Sequence, residues 1–233
     1  LCAPTGRAAK RMSETSNKEA KTIHRLLEMG FGSDSEELVF FKDEEDPIDA
    51  DVIILDEASM VDIILMYNLL KAVKLGTRVL LVGDSDQLPS VGAGNVLKDI
   101  IDSGVMSVVT LKEIFRQAQE SEIVMNAHKI VNGEHIDLAS KDKDFFFMQR
   151  LEYGELQDLV VELCKTRLPK AYDYSPIDDI QVLSPTRKGP AGTVELNKRL
   201  QQELNPPAAG KSEVKTPVYT FRKGDKVMQI KND

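Results

Sequence analysis

The chain has 233 residues, of which 42% are hydrophobic and 29% charged, with a formal net charge of −8. This composition is typical of a folded globular protein with room for two domains, and it excludes a disordered chain. No apolar run approaches the roughly 20 residues that span a bilayer, and the sequence opens without a signal peptide. Because two cysteines are too few for a disulfide framework, we predict reduced thiols in a cytoplasmic protein.

Charge is distributed unevenly along the chain. Residues 1–27 contain six basic and two acidic side chains, whereas residues 34–51 contain nine acidic side chains and a single lysine. A generally basic nucleic-acid surface is therefore excluded, but the first segment still permits a local phosphate-binding surface.

Strands and helices alternate along the chain. The predicted elements are, in order, helix 20–29, strand 52–57, helix 61–75, strand 78–84, helix 94–103, strand 105–111, helix 121–132, strand 145–148, helix 153–167, strand 180–187 and helix 191–204. Aliphatic runs without alternation are typical of parallel strands that are covered on both faces. The pattern predicts an α/β fold with doubly wound parallel sheets and right-handed crossovers.

The alternation of elements starts afresh after residue 111. We therefore predict one sheet domain over residues 1–111 and a second over residues 112–233. The acidic stretch 33–50 is expected to be an exposed insertion, and the stretch 205–217, which contains three prolines, a mobile loop.

Two acids follow a strand directly. Asp56 and Glu57 come after four consecutive aliphatic residues, at the edge of a parallel sheet where ligands bind. Asp56 can hold Mg²⁺, usually through water, and Glu57 can orient and deprotonate an attacking water molecule. The alternative is that a strand-end acid simply caps the next helix.

A second strand ends in polar residues at Gly83 and Asp84. Gln87 follows on the turn, where its amide can donate to one oxygen and accept from another, as contact with a γ-phosphate or a water molecule requires. Taken alone, this segment also fits a glycine-rich loop with a solvated amide. The presence of two such strand ends in one domain favours a nucleotide-hydrolysing site.

Six motifs in order resemble those of superfamily 1 DNA helicases of the RecD/TraA branch, the exodeoxyribonuclease V alpha-chain family. They are LCAPTGRAAKRM, TIHRLL, VIILDEASMVD, LVGDSDQLPSVGAGNVL, EIFRQA and VLSPTRKGPAGTVELN. This resemblance covers nearly the whole chain. It implies two RecA-like P-loop NTPase domains, both incomplete, that use ATP and Mg²⁺ to move on DNA during recombination and repair.

The resemblance also implies roles for individual residues. Asp56 matches the magnesium ligand, Glu57 the residue that activates water, and Gln87 the γ-phosphate sensor that couples to DNA. Arg116 resembles the arginine that reaches the nucleotide from the second domain and stabilises charge on the transferred phosphoryl group. An ordinary surface arginine paired with Glu113 or Glu120 is the alternative for Arg116.

Contacts with single-stranded DNA are a further implication of the resemblance. They fall in three groups, which are Pro4, Thr5, Gly6 and Arg7; Thr22 and His24; and Ser184, Pro185, Thr186 and Arg187. A glycine allows close backbone approach, and hydroxyl and guanidinium groups donate to phosphate. For His24, a structural role remains open. Duplex junctions and RecB/RecC-type nuclease subunits are the other partners that the resemblance implies, and no membrane is among them.

The helicases of this superfamily carry a phosphate-binding loop, G-x-x-x-x-G-K-[ST], before the LCAPTGR motif. The only similar segment here is NPPAAGKS, residues 205–212, in which Asn205 replaces the first glycine and two prolines remove backbone donors. The last two family motifs are also missing, and FRKGDKVMQIKND, residues 221–233, resembles the lead into a small β-barrel insertion. We therefore expect an internal fragment that does not hydrolyse ATP by itself.

Two other functions stay open at this stage. One is a DNA-processing ATPase that does not separate strands, which the order of the motifs disfavours. The other is a non-catalytic module that binds single-stranded DNA or docks a partner. Such binders use aromatic platforms, whereas only 6% of this chain is aromatic and it has no tryptophan.

Overall fold

A computed structural model describes residues 1–32, 37–111, 118–139, 143–217 and 219–228. The chain divides into two compact units, Leu1–Ile136 and Asp137–Asp233. The predicted domain boundary after residue 111 precedes this division, and the assignment of two motor domains stays a prediction.

The first unit combines strands and helices. Its elements are β1 Cys2–Ala3, α1 Gly6–Ser16, β2 Lys21–Thr22, α2 Ile23–Leu26, β3 Met29–Phe31, β4 Leu38–Phe40, β5 Val52–Leu55, a 3₁₀ turn Ala58–Met60, α3 Ile63–Lys71, β6 Arg78–Leu81, α4 Val96–Ser103, a 3₁₀ turn Ala118–Glu120 and α5 Glu122–Val131. Four strands form a parallel sheet in the order β2-β1-β5-β6, and β3 pairs with β4 in an antiparallel hairpin. The predicted α/β class with a parallel sheet is confirmed.

The core of the first unit lies between this sheet and helices α2, α3 and α4. Fully buried side chains come from a central strand and two helical segments, namely Leu55 on β5, Leu69 on α3, and Ile23 and Leu27 around α2. Cys2 belongs to the same core, and burial raises the pKa of its thiol to about 11. A protonated, buried thiol is unreactive, as expected for a structural cysteine.

Side-chain caps decide where several helices begin. Thr5 caps α1 by accepting from the N–H of Ala8, and Asp62 caps α3 by accepting from the N–H of Leu65. Ser121 caps α5 in the same way, by accepting from the N–H of Val124. These caps satisfy N–H groups that have no partner within the helix.

The second unit is mainly helical. Helix α6, Tyr153–Glu162, continues through a π-helical turn, Leu163–Arg167, into α7, Leu168–Tyr172, and is followed by α8, Thr193–Leu204, and the hairpin of β7, Glu213–Lys215, with β8, Thr220–Arg222. Arg199 on α8 donates to the side-chain oxygen of Gln157 on α6 at 2.8 Å. In the described part of the chain, no helix is long and apolar enough to cross a membrane.

Three predicted strands are absent from the structure. Residues 105–111, 145–148 and 180–187 form no strand within the described ranges, and Val109 and Leu183 are 88% and 86% exposed. An aliphatic run is stable as a strand when a neighbouring strand pairs with its backbone and packed elements cover its faces. These three segments have no strand partner among the described residues. The parallel sheet expected for the second domain is therefore not formed by the described residues.

Three other segments also differ from the sequence predictions. The helix expected over 20–29 is divided among β2, α2 and the start of β3. The acidic stretch 33–50 is not wholly exposed, because Ile48 is buried and its N–H donates to the carbonyl of Ala72 at 2.8 Å. Strand β7 occupies part of the loop expected over 205–217.

The core position of Leu69 gives a test of this packing. We expect Leu69→Ala to lower the free energy of unfolding by about 2–5 kcal/mol, because it removes buried methyl groups and leaves a cavity. Leu75→Ala is the matched control, since Leu75 is fully exposed and its loss should change the free energy by less than about 0.5 kcal/mol. Urea unfolding followed by circular dichroism measures both, and equal midpoints would contradict the assigned core.

Candidate functional site

The predicted site residues of the first unit lie along one edge of its sheet. All four strands are parallel, so the residues that follow them meet at the carboxyl edge, where open α/β sheets bind ligands. Across the sheet, the order is residues 22–24 at the end of β2, 4–7 after β1, 56–57 after β5 and 84–87 after β6. The structure thus brings two predicted DNA-contact groups and two predicted catalytic groups to a common edge.

Asp56 and Glu57 form a half-buried turn at the end of β5. The N–H of Asp56 donates to the carbonyl of Cys2 at 3.0 Å, which continues the sheet pairing by one residue. Its Oδ1 accepts from the N–H of Glu57 at 2.9 Å, and among the described residues no hydrogen bond to Oδ2 is present. No group of three metal-ligating side chains occurs in the described ranges, but Mg²⁺ bound with a nucleotide takes only one or two carboxylates and the phosphates. The Asp56 carboxylate fits that use.

Glu57 adopts a left-handed backbone conformation, with φ 55° and ψ 39°. This conformation costs a residue other than glycine roughly 1–2 kcal/mol. Two hydrogen bonds hold the turn, because Met60 donates to the carbonyl of Glu57 at 3.1 Å and Ala58 donates to the carbonyl of Val82 at 2.9 Å. Strain that neighbouring structure maintains in this way is common at functional sites. The sequence pattern gave no sign of it.

The turn after β6 is organised by Asp84. Its Oδ1 accepts from the N–H of Asp86 at 3.0 Å, and its Oδ2 accepts from the Gln87 side-chain amide at 3.2 Å. The Gln87 side chain is exposed. Because its amide group is planar and the nitrogen faces Asp84, the amide oxygen points away from Asp84. Asp84 thus orients Gln87, a role that its strand-end position alone did not reveal.

Gly83 brings the turns after β5 and β6 into contact. A Cβ atom on Gly83 would lie 3.1 Å from the backbone nitrogens of Ala58 and Ser59 and 2.9 Å from a methyl group of Leu97. Any larger residue would force these backbones apart. The close approach keeps the Asp56–Glu57 turn beside the Asp84–Gln87 turn.

Two threonines lie on the other half of the edge. Thr5 and Thr22 each accept from a backbone N–H of the following helix at 3.2 Å, and each hydroxyl keeps its proton for donation. A Cβ atom on Gly6 would meet nothing within 4 Å, and the Arg7 side chain is exposed, so both face open space. Anions bind readily at such helix starts.

His24 differs from these neighbours. Its ring is half-buried and lies 6.0 Å, between ring centroids, from the ring of Phe40 on β4. This contact fits the structural role that the sequence left open for His24, while a DNA contact remains a prediction.

In the second unit, residues 184–187 lie in a loop and not at the end of a strand. The Ser184 hydroxyl donates within the loop, to the carbonyl of Ala191 at 2.8 Å. The carbonyls of Thr186 and Arg187 accept from the N–H groups of Thr193 and Val194, at the start of α8. The side chains of Thr186 and Arg187 are exposed. Arg116 lies outside the described residues, so its role stays a prediction.

The segment NPPAAGKS follows helix α8, as expected for a segment that is no phosphate-binding loop. Lys211 donates to the side-chain oxygen of Asn205 and, at 3.1 Å, to the carbonyl of Pro206. Lys211 thus binds oxygen atoms of the residues that follow α8, and this is a structural role.

Comparison with known proteins agrees with this geometry. Residues 1–146 match the family model described as an AAA domain. The chain is 38% identical over 233 residues to the ATP-dependent RecD2 DNA helicase of Deinococcus radiodurans, covering 100% of this chain and 30% of that protein. It is 31% identical over 239 residues to the RecBCD enzyme subunit RecD of Mycolicibacterium smegmatis, and the match covers 88% of this chain and 41% of that protein.

A third relative is the RecBCD enzyme subunit RecD of Mycobacterium tuberculosis, 29% identical over 237 residues that cover 88% of this chain and 40% of that protein. The chain therefore spans less than half the length of these relatives. From the matched family model, we conclude that the chain belongs to the AAA-domain family, and the relatives it resembles are named RecD2 helicase and RecBCD subunit RecD.

Proposed function

We propose that the protein containing this chain is an ATP-dependent DNA helicase that moves on single-stranded DNA in recombination and repair. The observation that supports it best is the arrangement along one sheet edge, where a carboxylate turn and an oriented amide adjoin two helix starts capped by threonine hydroxyls. The RecD2 relative is named an ATP-dependent DNA helicase, which agrees with this proposal. The proposal includes two RecA-like motor domains, residues 1–111 and 112–233.

The carboxylate half of the edge serves ATP hydrolysis. Glu57 accepts the proton of the attacking water, and Gln87, oriented by Asp84, contacts that water or the γ-phosphate. Asp56 would hold Mg²⁺ through water, and the ion neutralises phosphate charge when it is bound. Arg116 stabilises the charge that develops on the transferred phosphoryl group, by analogy with arginine fingers.

The threonine half of the edge serves DNA binding. Thr5 and Arg7 donate to a backbone phosphate, and Thr22 extends the same path along the sheet edge. Residues 184–187 form a second DNA-binding site in the second domain. A translocating motor requires two such sites that bind the strand alternately. Because several relatives are named RecBCD subunits, RecB- and RecC-type proteins are proposed partners.

The assignment of Glu57 is tested by Glu57→Gln in the full-length protein. We expect DNA-stimulated ATP hydrolysis to fall at least about 100-fold, because the amide cannot accept the proton of water. Nucleotide affinity should stay within about threefold of the wild type, since the side chain keeps its shape and the charge lost faces the water. Glu44→Gln is the control, because Glu44 is exposed and lies outside the site. Unchanged turnover in Glu57→Gln would contradict the role.

The DNA-binding half is tested by Arg7→Ala. Loss of one phosphate contact should weaken oligonucleotide binding and reduce the slope of log K against log salt by about 0.7 for a single strand. Arg78→Ala is the matched control, because Arg78 is also exposed but lies at the amino end of β6, on the opposite edge of the sheet. Fluorescence anisotropy at several salt concentrations measures both. Equal slopes for the two variants would argue against the assigned edge.

The 233-residue chain by itself should not hydrolyse ATP. Its sequence contains no G-x-x-x-x-G-K-[ST] loop to hold the β- and γ-phosphates. A phosphate-release assay with and without DNA checks this expectation. DNA-stimulated turnover that Glu57→Gln abolishes would show that this chain binds the phosphates by other residues.

A further inference from the structure

The loop after β6 returns to the start of helix α3. At this point the N–H of Ile63 donates to the carbonyl of Ala93 at 2.9 Å. A Cβ atom on Gly92 would lie 2.7 Å from both Cβ and Cγ of Asp62, and closer still to Oδ2. Real side chains do not tolerate such distances, so only glycine fits against Asp62.

Asp62 cannot easily move away from Gly92. Its Oδ1 accepts from the N–H of Leu65 at 2.8 Å and so caps helix α3. Rotation of the carboxylate would leave that N–H without its partner, a loss typical of a removed helix cap. On one side of the contact, the start of α3 fixes the position of Asp62. On the other side, Gly92 belongs to the loop after β6.

The far end of the loop is closed by its own contacts. The Ser90 hydroxyl lies 3.0 Å from the carbonyl oxygen of Gly92 and 3.2 Å from that of Gly94. Gly94 has φ +96°, a conformation that favours glycine, and a Cβ atom there would lie 3.3 Å from Cβ of Ile63. The end of the loop is thus compact and packed on the first turn of α3.

Gln87 lies between two attachment points of this loop. Asp84 holds its amide at the near end, and the contact of Gly92 with Asp62 holds the far end. Helix α3 itself begins shortly after the Asp56–Glu57 turn, through the 3₁₀ turn Ala58–Met60. Gly92 follows Gln87 by five residues in the same loop, so we expect a displacement of Gly92 from Asp62 to change the position of Gln87 relative to Glu57.

We infer that Asp62 and Gly92 are positioning residues, whose contact sets the distance between the Gln87 loop and the Asp56–Glu57 turn for ATP hydrolysis. This inference rests on the proposed function. Neither residue touches the reacting atoms. Their effect should therefore be seen in kcat, with nucleotide affinity nearly unchanged.

Gly92→Ala in the full-length protein tests the contact. Its DNA-stimulated kcat should fall roughly 10- to 100-fold, because small misplacements of a catalytic group reduce the rate by such factors. Gly154→Ala is the control, since a Cβ atom on Gly154 would meet nothing within 4 Å. The reciprocal exchange, Asp62→Gly with Gly92→Ala, moves the bulk from one side of the contact to the other and keeps a tolerable cap. It should recover most of the lost kcat.

Asp62→Ser gives a second test that keeps α3 capped, because serine caps helices about as well as aspartate. It removes the carboxylate from Gly92 and should also lower kcat, with the thermal midpoint near that of the wild type. Unchanged kcat in Gly92→Ala or in Asp62→Ser, with an active wild type, would overturn the inference alone. Failure of the exchange to recover kcat would overturn it as well. A wild type without DNA-stimulated hydrolysis would overturn the proposed function itself.

Discussion

The pairing of β5 with β6 continues beyond the ends of both strands, and the carboxyl edge depends on this continuation. The N–H of Val82 donates to the carbonyl of Leu55 at 2.8 Å, and the carbonyl of Val82 accepts from the N–H of Ala58 at 2.9 Å. Residue 82 therefore binds on both sides to the chain around the Asp56–Glu57 turn. Because Gly83 allows the backbones to touch, two turns separated by a helix in sequence lie against each other.

The placement of the predicted site residues at this edge is predictable from the sequence. Acids after an aliphatic run, and a polar turn after the next run, identify Asp56, Glu57 and Gln87 because parallel strands align their carboxyl ends. Each of these inferences uses only a short segment and the known geometry of a parallel sheet.

What the sequence did not predict depends on contacts between distant segments. The left-handed backbone at Glu57 lies in a turn that is bonded to Val82 of a distant segment, and the fit of Gly92 against Asp62 joins two loops. A glycine in GAG signals a special conformation, but not which side chain it faces. The absent strand at 180–187 shows the same limit. An aliphatic run indicates that a segment can pair as a strand, but it does not indicate which strand it pairs with. Pairing is a non-local property.

At position 57, the backbone conformation favours glycine, whereas the proposed reaction requires a carboxylate. Glycine is the residue that tolerates φ 55° without penalty, and its introduction would relieve the turn. Glycine has no carboxylate, so the relaxed protein would lose its proposed proton acceptor. Selection for a more stable protein and selection for turnover would therefore favour different residues at position 57, a conflict common to strained active sites.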